Sequence, residues 1–266
     1  MTNQKNLIVM GCIDGYTNGP PRNENDNGTF VETIAEVTGP NSMETYISYS
    51  KSLNGPWKSE KMKVNYLDGM DRLEGENEFC LSSPYLFENG SVLMTWTQRL
   101  SWNKGSEISL VMGESWNGTY NLSTTQLWVT ELDDLSSMED PFLWRDASDH
   151  SFHLLMHGMI EVDNPNGNPW LRDAQGRHAF SVDGSNWNLS PHYTYNTTVC
   201  YDDGQCVDYA RRERPHLIFD KDSGEPLFLN NGMQLNNLLK YDKTFNGAVP
   251  LYTSKDYCKM GKNEYC

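Results

Sequence analysis

The chain is 266 residues long with a formal net charge of -15, enough length to bury about three quarters of its unfolded surface. No Pro/Gly/Ser-rich tract and no block of like charge interrupts it, so residues 1–266 are read as a single domain. The negative charge excludes the basic face that nucleic acid or an anionic membrane needs, and apolar runs such as Leu7–Met10 are too short for a membrane-spanning helix. A neutral partner bound by a monomer is expected.

From the start of the chain, the first thirty residues lack the charged and apolar segments of a secretory signal. Leu7–Cys12 reads as a strand. Helical periodicity is nearly absent beyond it, and short aromatic and β-branched runs alternate with Asn-Gly, Asp-Gly and Ser-Gly turns. The chain is therefore all-β, and it repeats. A strand, a polar turn and an aromatic close three units, YISYSKSLNGPW ending at Trp57, SLVMGESWNGTY ending at Tyr120 and HAFSVDGSNW ending at Trp187. Between them stand three hairpins, each a dipeptide ending in Pro, an apolar run, a turn and a second apolar run. They are SSPYLFENGSVLMTW from Ser82, EDPFLWRDASDHSFHLLMHG from Glu139 and RERPHLIFDKDSGEPLFLNNG from Arg212. The prolines Pro84, Pro141 and Pro215 are spaced by 57 and 74 residues, somewhat longer than the roughly 40–50 residues of common propeller blades. A β-propeller of four-stranded sheets is the natural home for such a repeat. In that scheme Leu7–Cys12 matches the second strand of a first blade, so the sequence reads either as incomplete at its N-terminus or as complete with a degenerate first blade.

The six cysteines include two close pairs, Cys200 with Cys206 and Cys258 with Cys266, and leave Cys12 and Cys80 as a long-range pair. Six N-x-S/T sequons begin at Asn27, Asn89, Asn117, Asn121, Asn188 and Asn196. Together they point to a secreted glycoprotein with disulfides.

In a propeller the innermost strands line a central channel, so carboxylates at their starts converge at one end of it. Convergence suits glycosidic hydrolysis, which needs an acid for the leaving oxygen and a carboxylate to activate water or attack carbon. Asp140 and Glu213, both just before a hairpin proline, meet that requirement. Strand alternation would turn Arg212 and Arg214 away from Glu213 and leave Arg211 on its face, where it could hold a sugar hydroxyl or the other carboxylate.

The run EDPFLWRD, the closers SKSLNGPW and GESWNGTY, SSPYLFENGSVLM, and RERPHLIF with LFLNNG resemble the five-bladed propellers of glycoside hydrolase family 43 and its arabinanase, xylosidase and invertase-like relatives. The likeness runs from about Leu7 to Gln234. It implies an inverting hydrolase acting on a plant, algal or microbial carbohydrate, with Glu213 as general acid and Asp140 as the carboxylate that orients it and raises its pKa. The family's general base, an Asp of the first blade, has no match here. Asp14 in CIDGY follows its strand and is not assigned. A glycan-binding propeller that lacks the base is therefore the alternative, and a cell-surface scaffold is a third reading.

Secondary candidates for substrate contact are Gln98, Arg99, Trp102 and Trp144. His153 and His157 share a strand face about 13 Å apart, too far to bind one metal together. No cofactor is required. The resemblance to arabinanases admits a channel cation such as calcium, for which a single histidine, His178 or His216 among them, could serve, although no residue demands one.

Overall fold

The computed structural model describes residues 8–12, 30–39, 42–50, 54, 56–65, 78–87, 89–101, 105–127, 135–146, 148–161, 172–201, 203–220, 222–235 and 244–251. Among them there are eighteen strands and no helix. The first sheet has the order β1 (Ile8–Cys12), β2 (Phe30–Gly39), β3 (Ser42–Ser50), β4 (Lys58–Lys61). The chain then adds β5 (Lys63–Asn65) to the outer edge of a second sheet, beside β9, before building that sheet from its other edge outward. Its strands are β6 (Glu78–Leu86), β7 (Val92–Ser101), β8 (Gly105–Gly113) and β9 (Thr119–Leu127). The third sheet runs β10 (Leu135–Arg145), β11 (Phe152–Glu161), β12 (Arg172–Ser181), β13 (Asn188–Leu189). A short hairpin, β14 (Thr198–Cys200) with β15 (Cys206–Asp208), precedes a fourth sheet of β16 (Arg211–Phe219), β17 (Pro226–Gln234) and β18 (Thr244–Pro250).

The three proline hairpins are β6–β7, β10–β11 and β16–β17, each antiparallel. Their turns share one mechanism, an Asn or Asp whose carbonyl or carboxylate oxygen accepts the amide two residues on. Asn89 accepts Ser91 N–H, Asp146 accepts Ser148 N–H and Asp220 accepts Asp222 N–H. Gly90 and Gly224, at φ of 88° and 73°, supply the left-handed step in two of them. The closing motifs fall where the third strand turns into the fourth. At the last of them Asp183 accepts Ser185 and Asn186 amides, which holds its carboxyl well below the usual range.

One expectation is corrected. Leu7–Cys12 resembles a second strand in composition, but Ile8–Cys12 lies at the edge of its sheet, paired parallel to β2. An apolar run of five residues fits an edge or an inner strand equally well, so its composition could not decide the position.

Period-two alternation joins the sheets. On β7, Val92, Met94 and Trp96 face the first sheet's Ile47 along with Met62, Tyr120 and Leu122, while Leu93 faces the third sheet. On β11, Phe152, Leu154 and Met156 pack toward Leu93, Ile108 and Leu110, whereas Leu155 turns to the fourth sheet's Leu217 and Leu229. β10 thus packs between β6 and β16. His153 and His157 share the Leu155 face by parity, which aims them at the fourth sheet. The predicted Cys200–Cys206 disulfide closes the β14–β15 hairpin across a paired position. The other two expected pairs lie outside the described side chains.

Leu154 is completely buried between the second and third sheets. Leu154→Ala should lower the unfolding free energy by about 2–5 kcal/mol through lost burial and the residual cavity, read as a lower urea midpoint with an unchanged denaturant slope.

Candidate active site

The site is built from a repeated irregularity. On β10 the register runs Glu139↔His157 and then Phe142↔Leu155, so Asp140 and Pro141 together oppose one residue of β11. On β16 it runs Glu213↔Gly232 and then His216↔Asn230, with Arg214 and Pro215 in the extra positions. Proline has no N–H for the ladder, and the residue before it is left-handed in both cases, with φ of 57° at Asp140 and 55° at Arg214. These are bulges, and they turn a side chain out of the alternation that the flanking residues obey.

The two bulges are bonded to each other. Asp140 is buried, its N–H donates to Thr97 Oγ1 at 3.2 Å, and its Oδ2 accepts the Arg214 N–H at 3.1 Å. His157 Nδ1 lies 3.3 Å from the same Oδ2, with His157 2% exposed. The Arg214 guanidinium reaches over more loosely, Nε to Oδ1 3.9 Å. Asp140 therefore holds the amide that immediately follows Glu213.

Glu213 is partly exposed, and its Oε1 accepts Arg211 Nη1 at 3.1 Å. Behind it, buried Arg212 donates Nε to Asn231 Oδ1 at 3.0 Å and Nη1 to the Asn196 carbonyl at 3.1 Å. Arg212 also lies over the Tyr195 ring, 4.8 Å from its centroid. Tyr195 is seated against Gly176, bonded to it through Gly176 N–H to Tyr195 O at 2.8 Å, where a Cβ would run into the tyrosine ring.

Electrostatics ties these groups into one centre. Burial pulls the His157 imidazole down, but its contact with Asp140 and the charges of Asp140, Glu213 and Glu139 outweigh burial, and the net shift is upward. Burial raises the Tyr195 phenol strongly, and Asp140 and Glu213 push it the same way against the pull of Arg212 and Asn231. Both carboxylates thus act on both buried groups.

The expected site residues fare differently. Asp140, Glu213 and Arg211 meet here. Arg214, expected on the face opposite Glu213, sits in the bulge with its guanidinium 3.9 Å from Asp140 and its side chain 40% exposed. Trp144 is a correction: it is 8% exposed, packed with Phe142, Leu155 and Tyr195 and stacked on His153 at 5.0 Å, so it has no free face for a sugar. Gln98 and Arg99 fall on β7, but their side chains, like all of Trp102, lie outside the described residues, as does Asp14. His157 is legible only as half of a same-face pair with His153, too far apart for one metal, and Tyr195, Asn231 and Thr97 carry no signal. Their roles come from register and from a loop crossing between sheets.

The surroundings of Asp140 do not fit a calcium-like cation. Such an ion takes six to eight oxygens, whereas the polar atoms of the described residues at Asp140 are nitrogens of His157 and Arg214 and the single hydroxyl of Thr97. Among the described residues no group of three or more His, Cys, Asp or Glu is arranged to hold a metal. His178 accepts or donates at 2.9 Å with His153, whose other ring nitrogen meets Ser151 Oγ at 2.8 Å. His216 packs on Phe142.

No protein-family model matches the sequence, and no curated protein does. Solved structures do match. An endo-arabinase from Bacteroides thetaiotaomicron VPI-5482 aligns with a TM-score of 0.54 at 12% identity, over 85% of this chain and 74% of that one. An alpha-L-arabinofuranosidase from Lactobacillus brevis gives 0.53 at 12%, over 85% and 73%. A thermostable family-43 glycoside hydrolase gives 0.52 at 13%, over 84% and 71%. At such identity the likeness is one of fold, and the chain has the fold of these β-propeller glycoside hydrolases.

The His153–His178 pair sets a pH response. Burial lowers both imidazoles, His178 to about 4 with a further push from His153. A histidine depressed on folding takes up protons more readily when unfolded, so stability is full above about pH 6.5 and is lost as pH falls toward about 4. Urea titrations at pH 7 and pH 4.5 should show that loss in the wild type and a smaller one in His178→Gln.

Proposed function

We propose that this protein is a glycoside hydrolase in which Glu213 protonates the leaving oxygen and Asp140 orients Glu213. The observation that carries the reading is the bond from Arg214 N–H to Asp140 Oδ2, which fixes the backbone on the C-terminal side of Glu213 to a carboxylate on the neighbouring sheet. Proton donation requires a geometry held within a few tenths of an ångström, and this bond supplies it. Glu213 Oε1 is held by Arg211 at 3.1 Å, so the transferred proton is carried on the other carboxyl oxygen, with the guanidinium beside it for a sugar hydroxyl. Inversion needs a second carboxylate about 6.5–9.5 Å across the sugar, and it would come from outside the described residues. Five blades complete the propeller in this reading.

The carbohydrate is polymeric or oligomeric, and Gln98, Arg99 and Trp102 remain candidates for contacting it. Secretion accords with the Cys200–Cys206 disulfide and with Asn89, Asn117, Asn121, Asn188 and Asn196, which are all exposed and open to glycosylation. A binding propeller without turnover is the second reading, favoured by the same Arg211–Glu213 ion pair, which engages one oxygen of the carboxyl group.

The purified protein should be assayed on 4-nitrophenyl furanosides and pyranosides of arabinose, xylose, galactose and fructose and on linear arabinan. Glu213→Gln should cut kcat about 10²–10⁴-fold on the polymer, and less on nitrophenyl glycosides, whose leaving group needs no proton. Glycan binding without hydrolysis, unchanged by Glu213→Gln, would establish the binding propeller instead.

A further inference from the structure

Asp140 is a buried carboxylate in need of a counter-charge, and the structure offers one at close range. A buried ion is tolerated only when paired and hydrogen-bonded. The Arg214 guanidinium is 3.9 Å away and 40% exposed in its side chain, a loose partner shared with solvent. His157 is 3.3 Å away and 2% exposed. It sits on β11 opposite Glu139 of β10 and Gly176 of β12, with Asp140 beside it and Glu213 approaching from β16. Arg177, next to Gly176 on β12, is buried and lies over Tyr193 at 3.9 Å, directed to another partner.

Neither nitrogen of His157 makes a well-aligned hydrogen bond. The ring nitrogens are equally poorly bonded in either protonation state, but only an imidazolium adds attraction to the carboxylates of Asp140, Glu213 and Glu139 around it. Asp140 Oδ2 already accepts the Arg214 amide, and Oδ1, also buried, has no hydrogen bond. The pull of His157 on Oδ2 therefore fixes which oxygen holds the Glu213 segment and which one is left open.

We propose that His157 is the positioning residue of this centre, an imidazolium locked behind Asp140 that keeps the carboxylate oriented toward the Arg214 amide. Its effect on catalysis rests on the hydrolase reading above, but its pairing with Asp140 does not. The upward net shift at His157 accords with the geometry. A histidine raised on folding stabilises the protein below about pH 6.5 and loses that contribution as pH climbs through its folded value.

The direct test is an NMR titration of the full chain with ring-labelled histidine, assigning the His157 signal by its loss in His157→Gln. The wild-type signal should titrate above the ordinary histidine range and shift downward in Asp140→Asn. Asparagine tolerates the left-handed backbone there. Glu213→Gln, at a partly exposed position, should give a smaller shift in the same direction and serves if Asp140→Asn does not fold. An ordinary or lowered midpoint in the wild type, or one that neither variant moves, overturns the proposal whether or not the protein cleaves glycosides. Where a nitrophenyl glycoside is hydrolysed, kcat should decline on the alkaline side with the NMR midpoint. His157→Gln should lower kcat about tenfold with KM changed less than about twofold, and the alkaline limb should vanish. An unchanged pH profile in a folded His157→Gln overturns the role. Normal coupling in the NMR titration without hydrolysis of any glycoside upholds the pairing and removes only the hydrolase reading.

Discussion

A single carboxylate oxygen, Asp140 Oδ2, joins the third sheet to the fourth at the point where the ladder of each is broken by a bulge. It accepts the backbone N–H of Arg214 and lies against His157. Both partners of that bond are left-handed non-glycine residues before proline, each costing about 1–3 kcal/mol. Two of them together take a sizeable share of the roughly 5–15 kcal/mol by which a domain is stable. The compensation lies in what the bulges gain: a hydrogen bond to an ionised acceptor contributes about 1.5–3 kcal/mol, and the Asp140 amide finds Thr97 on the second sheet. Three sheets are thereby tied at one residue, and the strained backbone persists because its neighbours hold it from both sides.

The layer beneath shows why that junction can be polar. Phe142, Trp144, Leu155, Leu217 and Leu229 fill the space between the third and fourth sheets, so hydrophobic burial holds them together without help from the site. Tyr195 belongs to both layers. Its ring packs in this cluster and against Gly176, and its hydroxyl end comes under the charges of Asp140, Glu213 and Arg212. Arg212 closes the same space by stacking on that ring while its donors reach Asn231 and Asn196. A floor made this way resists displacement: moving any one of these side chains leaves a cavity on one side and a buried unpaired group on the other.

Much of this was legible in the sequence. The proline hairpins appear as β6–β7, β10–β11 and β16–β17, and the convergence of Asp140 with Glu213 followed from their like positions in two repeats. Failures have identifiable causes. Alternation along RERPH presumes a regular strand, but the bulge at Arg214 and Pro215 breaks parity directly beside Glu213. Trp144 is an aromatic beside a candidate carboxylate, and sequence does not distinguish a stacking platform from core when the strand is covered on both faces. His157 gains its meaning from a partner seventeen positions away, opposite in the ladder and displaced by a bulge, so no local pattern reveals it. The early strand failed for a different reason, since its neighbours in the sheet come from residues 30–39 and its parallel pairing leaves no hairpin signature.

Charge explains why an acidic chain can keep two carboxylates in one centre. With a net charge of -15, the surrounding field works against any further buried anion, so the buried Asp140 needs paired cations. Cations gather where the anions do: Arg211 on Glu213, and His157 and Arg214 on Asp140. Each fills a different need. Arg211 lies at the partly exposed rim and can be displaced by a ligand, whereas His157 is enclosed and cannot leave. The centre thus combines one removable counter-charge with one fixed counter-charge. The orientation of Asp140 therefore rests on the enclosed partner and not on the one at the rim.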